Sequence, residues 1–336
     1  MKRPNLRVEI RALANRVLFE GKCAVGLEYA QDGVVHRVRA RREVLLAGGS
    51  INSPQLLQLS GVGPGELLRA HGIEVVHDLS GVGENLQDHL NSRVVYRARR
   101  SNTLNEVSRS WLLQTRAGLE YALGRRGALM MGAAPIGLFA RTRPGLDSPD
   151  VQYQFLAGSF VRPGGEMHDF PGCQVTCIPC RPESRGWLRI RSPYPQIPPA
   201  IQPNYLSTQA DKDTLIAGLR IARGIFQTTA MQKYVAEEFL PGPSAESDED
   251  WLDHIRQTAG TTYHPTSTCM MGSHERAVVD AALRVHGIEG LRVIDASIMP
   301  TVVSGNTNAA TIMIAEKGAE MILGERSSAS AVRAAA

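Results

Sequence analysis

The apolar positions of the first ninety residues predict a region of β-strands with two short helices. Residues 24–30 and 34–46 are β-prone and meet at Asp32-Gly33, a dipeptide that favours a tight hairpin turn. Residues 44–46 are continuously apolar, which is typical of a strand covered on both faces. We therefore expect this short strand to lie inside a sheet.

The strand is followed by Gly48-Gly49 and then by the signals of a helix. Ser53 suits the N-cap position and Pro54 the first helical position, and a second helix is expected over residues 64–70. Glycine lets the backbone approach a ligand closely, and a helix N-terminus offers unpaired N–H groups and a positive dipole end. This strand, turn and helix favour an anion, although short connections of this kind with glycine are common.

The pattern changes over residues 89–258, where Pro and Gly clusters separate β-prone runs from helical ones. The change predicts a second domain of antiparallel strands and helices, inserted into the first. Its predicted elements are a helix over residues 103–127, strands at 151–155, 173–179 and 187–190, and helices over 210–227 and around 248–258.

The last part of the chain returns to the pattern of the first. A strand is predicted over residues 291–295 and a final helix begins near Asn308. The end of the chain is rich in Ser and Ala and is expected to be disordered. The predicted domains are therefore residues 1–88, 89–258 and 259–325, followed by a disordered tail at 326–336.

Composition excludes several classes of protein. The 336 residues are 43% hydrophobic, enough for a large core, and the net charge of +4 is only mildly basic. The main basic run, residues 37–42, alternates with apolar positions as a half-solvated strand does, which argues against nucleic-acid binding. The start of the chain has no apolar core of a signal peptide, and no apolar segment is long enough for a transmembrane span.

The five cysteines are odd in number and widely separated, which favours a reducing compartment over a disulfide framework. Cys177 and Cys180 have the spacing of a redox or metal motif. No second pair or nearby histidine completes a zinc site, so buried free thiols are the favoured interpretation and no metal is expected. The expected location is the cytoplasm, with peripheral attachment to the inner membrane left open.

Several segments resemble, in order, the glucose–methanol–choline (GMC) family of flavin-dependent oxidoreductases. Residues 49–63 are similar to the second GMC signature, and residues 82–89 to the segment that leaves the flavin domain. Residues 181–186, 203–206 and 279–318 match further landmarks, so the resemblance runs from about residue 5 to 323. It implies an α/β plus α+β fold, with a Rossmann-like FAD-binding domain interrupted by a substrate domain that has an antiparallel sheet and helices.

One expected feature of that family does not occur in the sequence. GMC proteins begin with a strand and a Gly-x-Gly-x-x-Gly turn that binds the FAD pyrophosphate, whereas the nearest sequence here, residues 61–66, ends in glutamate. Residues 1–6 resemble an interior segment of the family. We therefore expect a truncated chain with a partial flavin domain that lacks its first βαβ unit, which would expose apolar strand faces and edges.

His264 is the candidate general base. An imidazole with a pKa near neutrality can take the hydroxyl proton of an alcohol while a hydride leaves the adjacent carbon for flavin N5. The alternative is a histidine satisfied by backbone groups at the turn before Pro265. The resemblance places the catalytic base of the family at His264. Ser267 stands where the family often has glycine, and serine would be strained there if that position needs a positive φ.

Asn306 offers an amide donor and acceptor but cannot take a proton, which suits it to orienting the substrate oxygen. It also lies just before the final helix, where Asn306, Thr307 or Asn308 could be the N-cap. The positive end of that helix would favour the negative charge of a reduced flavin. The resemblance makes Asn306 the partner of the base, and the implied cofactor-binding residues are Val8, Ala47, Gly48, Gly49, Tyr263, Asp295, Ala296, Thr307 and Asn308.

The resemblance implies an FAD-dependent dehydrogenase that oxidises a primary alcohol to an aldehyde. Its expected partners are a small-molecule alcohol and an electron acceptor, which is a quinone, a dye-type acceptor or O2. Three alternatives stand beside this prediction. The chain could be a truncated, non-catalytic fragment that does not bind FAD alone, a choline dehydrogenase, or a GMC-type lyase.

Overall fold

The computed structural model describes residues 3–99, 103–130, 132, 134–162 and 165–335, with side chains as far as residue 325. The contacts within the chain divide it into two compact units. Unit 1 consists of Met1–Asp88, Ser184–Tyr205 and His264–Ala336. Unit 2 consists of His89–Glu183 and Leu206–Tyr263.

Two segments fall outside the domains expected from the sequence. Residues 184–205, expected in the second domain, belong to unit 1, and residues 259–263, expected after it, belong to unit 2. The first difference arises because β12 (Gly186–Arg189) pairs with β7 (Glu84–Leu86) of unit 1. Local hydrophobic periodicity does not reveal pairing between strands that are a hundred residues apart.

Unit 1 begins with a three-stranded antiparallel sheet of order β1 (Ala12–Glu20), β2 (Cys23–Gln31) and β3 (Val34–Arg39). The hairpin turn predicted at Asp32-Gly33 is confirmed. Both residues have positive φ, 49° and 82°, as favoured two-residue hairpin turns with these residue types require. Local turn chemistry therefore fixes this part of the fold.

Unit 1 also contains a parallel pair of strands. β4 (Val44–Leu46) pairs with β16 (Leu291–Val293), which follows it by about 250 residues in the chain. The prediction that β4 is covered on both faces is wrong, because Leu46 is buried whereas Leu45 is 47% exposed. Within the described residues only β16 pairs with β4, and a two-stranded sheet leaves much of its apolar surface open.

The helix that follows β4, α1 (Gly49–Leu59), begins five residues before the predicted start. Gly48 occupies the N-cap position, and the Ser53 hydroxyl accepts a hydrogen bond from the Gly48 N–H at 3.0 Å. Pro54 therefore lies inside the helix, where it cannot donate to the carbonyl of Ser50. The hydroxyl of Thr268 donates to that carbonyl at 2.7 Å instead, so the buried acceptor keeps a partner.

The elements of unit 1 bury a large apolar core and, apart from it, a smaller cluster of Leu59, Leu68 and Ile190. The core includes Leu57, Val82, Val279 and Val293. The expected second helix is confirmed as α2. The other elements are β5 (Val62–Gly63), α2 (Gly65–Ala70), β6 (His77–Asp78), β13 (Ala200–Gln202) and α8 (Asn308–Ala335).

The end of the chain differs from its expectation. The backbone of residues 326–335 continues α8, so the disordered tail predicted there is wrong for these residues. Alanine has the highest helix propensity of all residues, and this segment is rich in it. Residue 336 of the expected tail lies outside the described residues.

Unit 2 is built on an antiparallel sheet. Its strands are β8 (Leu90–Ala98), β9 (Ile136–Ala140), β10 (Val151–Leu156), β11 (Gly172–Pro179), β14 (Val235–Leu240) and β15 (Gly260–Thr261). The order in the sheet is β14-β8-β11-β10-β9, with β15 pairing to β8. The strands predicted at residues 151–155 and 173–179 are confirmed as β10 and β11.

The helix predicted over residues 103–127 is two helices. Ser110 has an extended backbone, with φ −111° and ψ 111°, and its hydroxyl accepts a hydrogen bond from the N–H of Leu113 as a helix cap. The helices of unit 2 are α3 (Leu104–Arg109), α4 (Trp111–Gly124), α5 (Gln209–Phe226), α6 (Thr229–Gln232) and α7 (Asp248–Thr258).

Helices α5 and α7 cover one face of the unit 2 sheet, with Leu219 and Trp251 among the buried residues. Cys177 and Cys180 are buried and unpaired, and burial raises the pKa of Cys180 to about 11. The interpretation of both as buried free thiols is confirmed. A protonated, buried thiol is unreactive.

Among the described residues no group of His, Cys, Asp or Glu could hold a metal ion. No helix in the described part of the chain has the length and apolar character that crossing a bilayer requires.

Replacing Thr268 by Val tests the role of its hydroxyl at the Pro54 break in α1. The Ser50 carbonyl would lose its donor, so the free energy of unfolding should fall by about 1–3 kcal/mol in a urea titration. Thr115→Val is the matched control. Thr115 also donates to a helix carbonyl, that of Trp111, but it lies on the exposed surface of α4, so its loss should change stability by less than about 0.5 kcal/mol. Equal effects of the two substitutions would contradict the assignment.

Candidate functional site

The buried carboxylate of Asp295 joins the end of β16 to the start of α1. Its Oδ2 accepts hydrogen bonds from the Gly49 N–H at 2.9 Å and from the Ser53 hydroxyl at 2.6 Å. Its Oδ1 accepts two more, from the N–H and hydroxyl of Ser297 at 2.8 and 2.5 Å. The N-terminal end of α1, predicted to favour an anion, therefore already holds an internal carboxylate.

The segment that carries His264 runs beside the residues that follow Asp295. The N–H of Ser267 donates to the carbonyl of Ala296 at 3.3 Å, and the N–H of Cys269 to the carbonyl of Ser297 at 2.9 Å. The predicted cofactor residue Ala296 and its neighbour Ser297 are thus tied to the loop of the candidate base.

Ser267 itself has φ 76° and is fully buried. The position therefore needs the left-handed backbone conformation that glycine adopts most easily, and the strain expected for serine at this site is present in the structure.

Asp88 fixes the position of His264. Its Oδ1 accepts a hydrogen bond from the backbone N–H of His264 at 2.8 Å, and its Oδ2 accepts one from the hydroxyl of Tyr205. The side chain of Asp88 is buried. Neither Asp88 nor its role is predicted from the sequence, where it is only part of a matching segment.

The imidazole of His264 is half-buried, and its charge is set by two opposing effects. Burial lowers the pKa of His264, and the negative charge of Asp88 raises it by a smaller amount, so the net change is downward. The ring is therefore neutral at pH 7 and able to accept a proton. Because the unfolded state binds a proton more readily than this site does, His264 reduces stability as the pH falls below the ordinary histidine pKa.

Gln87 links the His264 segment to the segment that leads to Asn306. Its backbone N–H and carbonyl form a bridge with those of Thr266, at 3.2 and 2.8 Å. Its buried side chain donates to the carbonyl of Pro300 at 3.2 Å and accepts from the N–H of Val302 at 3.1 Å. The two candidate catalytic loops are thus held by neighbouring residues of one segment, Gln87 and Asp88.

Asn306 and Asn308 are exposed at the start of α8, and Thr307 is half-buried between them. The carbonyl of Thr307 accepts the first helical hydrogen bond, from the N–H of Thr311 at 2.9 Å, which makes Thr307 the N-cap residue. The alternative that Asn306 or Asn308 is the N-cap is therefore wrong.

The other predicted cofactor residues are distributed unevenly. Ala47 and Gly48 line a cavity of about 410 Å3 in unit 1, together with Leu45 and Ser53. Tyr263 belongs to unit 2 and is 80% exposed, with φ 60°. Val8 lies in the segment before β1, is 54% exposed, and takes no part in the hydrogen bonds that join the other candidates in the described part of the chain.

Comparison with known proteins assigns the chain to a family. Residues 1–91 match the N-terminal GMC oxidoreductase domain and residues 182–315 match the C-terminal one. The chain belongs to the GMC oxidoreductase family, and the resemblance drawn from its motifs is confirmed.

Its relatives include the mitochondrial choline dehydrogenase of Mus musculus, 45% identical over 96% of this chain and 54% of that protein. An alcohol dehydrogenase [acceptor] of Pseudomonas putida is 43% identical over 96% of this chain and 58% of its own length. The chain thus spans little more than half the length of these relatives.

Solved structures agree on the fold. Pyridoxine 4-oxidase from Mesorbium loti is 28% identical, with a TM-score of 0.79 over 92% of this chain and 56% of that one. A formate oxidase variant of Aspergillus oryzae RIB40, studied for its FAD modification, is 25% identical with a TM-score of 0.86, over 94% and 60%. The predicted mixed α/β fold of GMC type is confirmed.

Replacing Ser267 by Gly or by Ala separates backbone strain from loss of the hydroxyl. Both substitutions remove the oxygen, but only glycine adopts φ 76° without a steric cost, so the Gly variant should be about 1 kcal/mol more stable than the Ala variant. Urea unfolding measures the difference. At Ser108, inside α3, the Ala variant should instead be more stable than the Gly variant, because alanine is the better helix former. The same order at both positions would refute the strain at Ser267.

Replacing Asp88 by Asn tests the electrostatic part of the His264 environment. The substitution removes the negative charge that raises the pKa of His264, so this pKa should fall further below its ordinary value. An NMR titration of the histidine Cε1–H signals measures the shift, and His264→Ala identifies the signal. Asp213→Asn, at an exposed carboxylate on α5, should leave the pKa unchanged. An unchanged or raised pKa in the Asp88 variant would contradict the assigned role.

Proposed function

We propose that this chain carries the catalytic residues of an FAD-dependent dehydrogenase that oxidises a primary alcohol to an aldehyde. The observation that carries the proposal is the half-buried, neutral imidazole of His264, held by a buried carboxylate through its own backbone N–H. Membership of the GMC family and similarity to an alcohol dehydrogenase [acceptor] support it.

FAD, when bound, supplies the hydride acceptor at N5. His264 takes the hydroxyl proton of the alcohol, which it can do because burial keeps the ring unprotonated at neutral pH. Asp88 then favours the imidazolium that results, since its negative charge lies beside the His264 backbone. The site therefore combines a neutral base before the reaction with a stabilised cation after it.

Asn306 is proposed to orient the substrate oxygen through its amide. It is exposed, and its loop follows Val302, which Gln87 holds. An amide can donate to the oxygen without competing for its proton, so the roles of Asn306 and His264 remain separate.

Part of the site suits FAD. Ala47 and Gly48 line the cavity beside β4, and the hydroxyl oxygen of Ser50 is buried with no hydrogen-bond partner among the described residues. A buried polar atom without a partner suits a bound group that brings hydrogen-bonding atoms. We propose that the residues in contact with FAD include Ala47, Gly48, Gly49, Asp295, Ala296, Thr307 and Asn308, while Val8 and Tyr263 remain predictions from the resemblance.

The glycine-rich sequence nearest to a phosphate-binding turn does not suit a phosphate. The N–H of Gly65, at the start of α2, donates to Oδ1 of Asp78 at 2.9 Å. A side chain added at Gly65 would meet the same carboxylate. This turn already binds an internal anion, so we assign no part of FAD to it.

A second candidate substrate is choline. The relatives include choline dehydrogenases of Mus musculus and Homo sapiens at 45% and 44% identity. We propose a quinone, a dye-type acceptor or O2 as the electron acceptor, and the cytoplasm as the location, since all five cysteines are unpaired.

The test begins with the 336-residue chain incubated with FAD and freed of unbound flavin. Retained visible flavin absorbance, bleached without oxygen by a primary alcohol, is the expected result. Choline and aliphatic alcohols are compared in the same assay. A colourless protein would support the alternative of a non-catalytic fragment, and flavin that no alcohol bleaches would remove alcohol oxidation from the proposal.

Substituting His264 by Ala should slow this flavin reduction by roughly 10²–10⁴-fold, the usual effect of removing a positioned base, while FAD stays bound. Stopped-flow absorbance measures the rate. The control is His274→Ala, because His274 is an exposed histidine of the same unit. Equal reduction rates in the two variants would exclude His264 as the base.

A further inference from the structure

Helix α4 of unit 2 presents an apolar surface to solvent. Leu112, Leu119 and Leu123 are 61%, 55% and 86% exposed, and Trp111 is 72% exposed. At 100° per residue these four positions cover one side of the helix, whereas Ala117, the buried residue of α4, lies on the other. Large apolar side chains gathered on one exposed face mark a binding surface, because isolated exposure is common but clustering is not.

Two further exposed apolar residues follow the helix in the chain. Leu129 and Met130, in the short 3₁₀ turn that follows, are 60% and 61% exposed. We define the α4 surface as Trp111, Leu112, Leu119, Leu123, Leu129 and Met130.

The charges near this surface are mostly positive. Arg109, Arg116, Arg125 and Arg126 are exposed, and Glu120 is the one acidic residue between positions 109 and 126. Arg116 pairs with Glu120 at 3.0 Å, and the guanidinium of Arg125 lies 4.9 Å from the centre of the Tyr121 ring. An apolar face bordered by arginines complements a surface that is apolar inside and anionic at its edge.

We propose that the α4 surface binds the interface of an anionic lipid membrane, with the leucines in the acyl region and the arginines among the headgroups. Trp111 suits the boundary, where tryptophan is enriched because its ring is apolar and its N–H is polar. With 14 residues α4 is shorter than the roughly 20 that a span requires, so the helix lies in the plane of the interface. The proposal concerns attachment and does not depend on the proposed reaction.

The test uses the full chain with vesicles of phosphatidylcholine alone or mixed with phosphatidylglycerol. Co-sedimentation should be strong only with the anionic vesicles and should weaken with added salt. The triple variant Leu112→Ser, Leu119→Ser, Leu123→Ser should lose at least about tenfold in its partition coefficient. Arg125→Gln with Arg126→Gln should lose roughly fivefold per arginine.

A matched control replaces three exposed apolar residues elsewhere. Val34, Val35 and Val38 on β3 are 56%, 58% and 51% exposed, so their change to Ser alters the same number of surface positions and should leave vesicle binding intact. Equal loss in the control and in the α4 triple variant would overturn the proposal, because the effect would then not be specific to this surface.

Tryptophan fluorescence gives a readout that does not depend on sedimentation. Of the three tryptophans, Trp251 is fully buried and Trp187 is half-buried, whereas Trp111 is exposed. Anionic vesicles should shift the emission to shorter wavelength, and Trp111→Phe should abolish that shift while binding persists. The proposal would be overturned if the wild-type protein did not bind vesicles but formed dimers that the α4 triple variant did not form. The α4 surface would then contact a second copy of the chain.

Discussion

The carboxylate of Asp295 is the interaction on which unit 1 depends. Unit 1 is assembled from three separate parts of the chain, and β16 must return to β4 from about 250 residues away. Asp295 secures that return by accepting hydrogen bonds from both Gly49 and Ser53 of α1. A buried carboxylate needs such partners, because an unsolvated charge without hydrogen bonds is costly. The same bonds that satisfy Asp295 therefore also fix the start of α1 and the loop that follows β16.

From this fixed point the candidate site is built by backbone hydrogen bonds from neighbouring segments. Ser267 and Cys269 bond to the residues after Asp295, and Gln87 bonds to both Thr266 and Val302. Side chains on loops are held as firmly as the backbone that carries them. The strain at Ser267 is consistent with this arrangement, since a left-handed serine persists only where the surrounding structure fixes it.

The sequence predicts those features that local chemistry determines. The turn at Asp32-Gly33 and the strands β10 and β11 of unit 2 follow from residue types and short-range periodicity. The start of α1 does not, because Ser53 has the residue type of an N-cap but its hydroxyl is needed five residues back, at Gly48. The exposure of Leu45 is hidden for a related reason, since an apolar run says nothing about how many strands pair with it.

The features of the site that the sequence does not predict depend on contacts between residues far apart in the chain. Gln87 and Asp88 act through residues more than 170 positions away, and nothing in their own neighbourhood distinguishes them from ordinary polar residues of a turn. His264 and Asn306 are predicted only because their surroundings resemble a known family. Physical reasoning from residue type alone leaves the structural alternatives open at both positions, and it takes the structure to identify Thr307 as the N-cap residue.

The N-termini of α1 and α8, both predicted to favour negative charge, are not equivalent. The positive end of α1 already faces the carboxylate of Asp295, so a second negative charge there would be repelled. α8 carries no acidic residue in its first turn, and Asn306 and Asn308 at its start are exposed. A helix dipole favours negative charge only where no other anion has already compensated it. We therefore assign compensation of the proposed flavin charge to α8, and to α1 the structural task of holding Asp295.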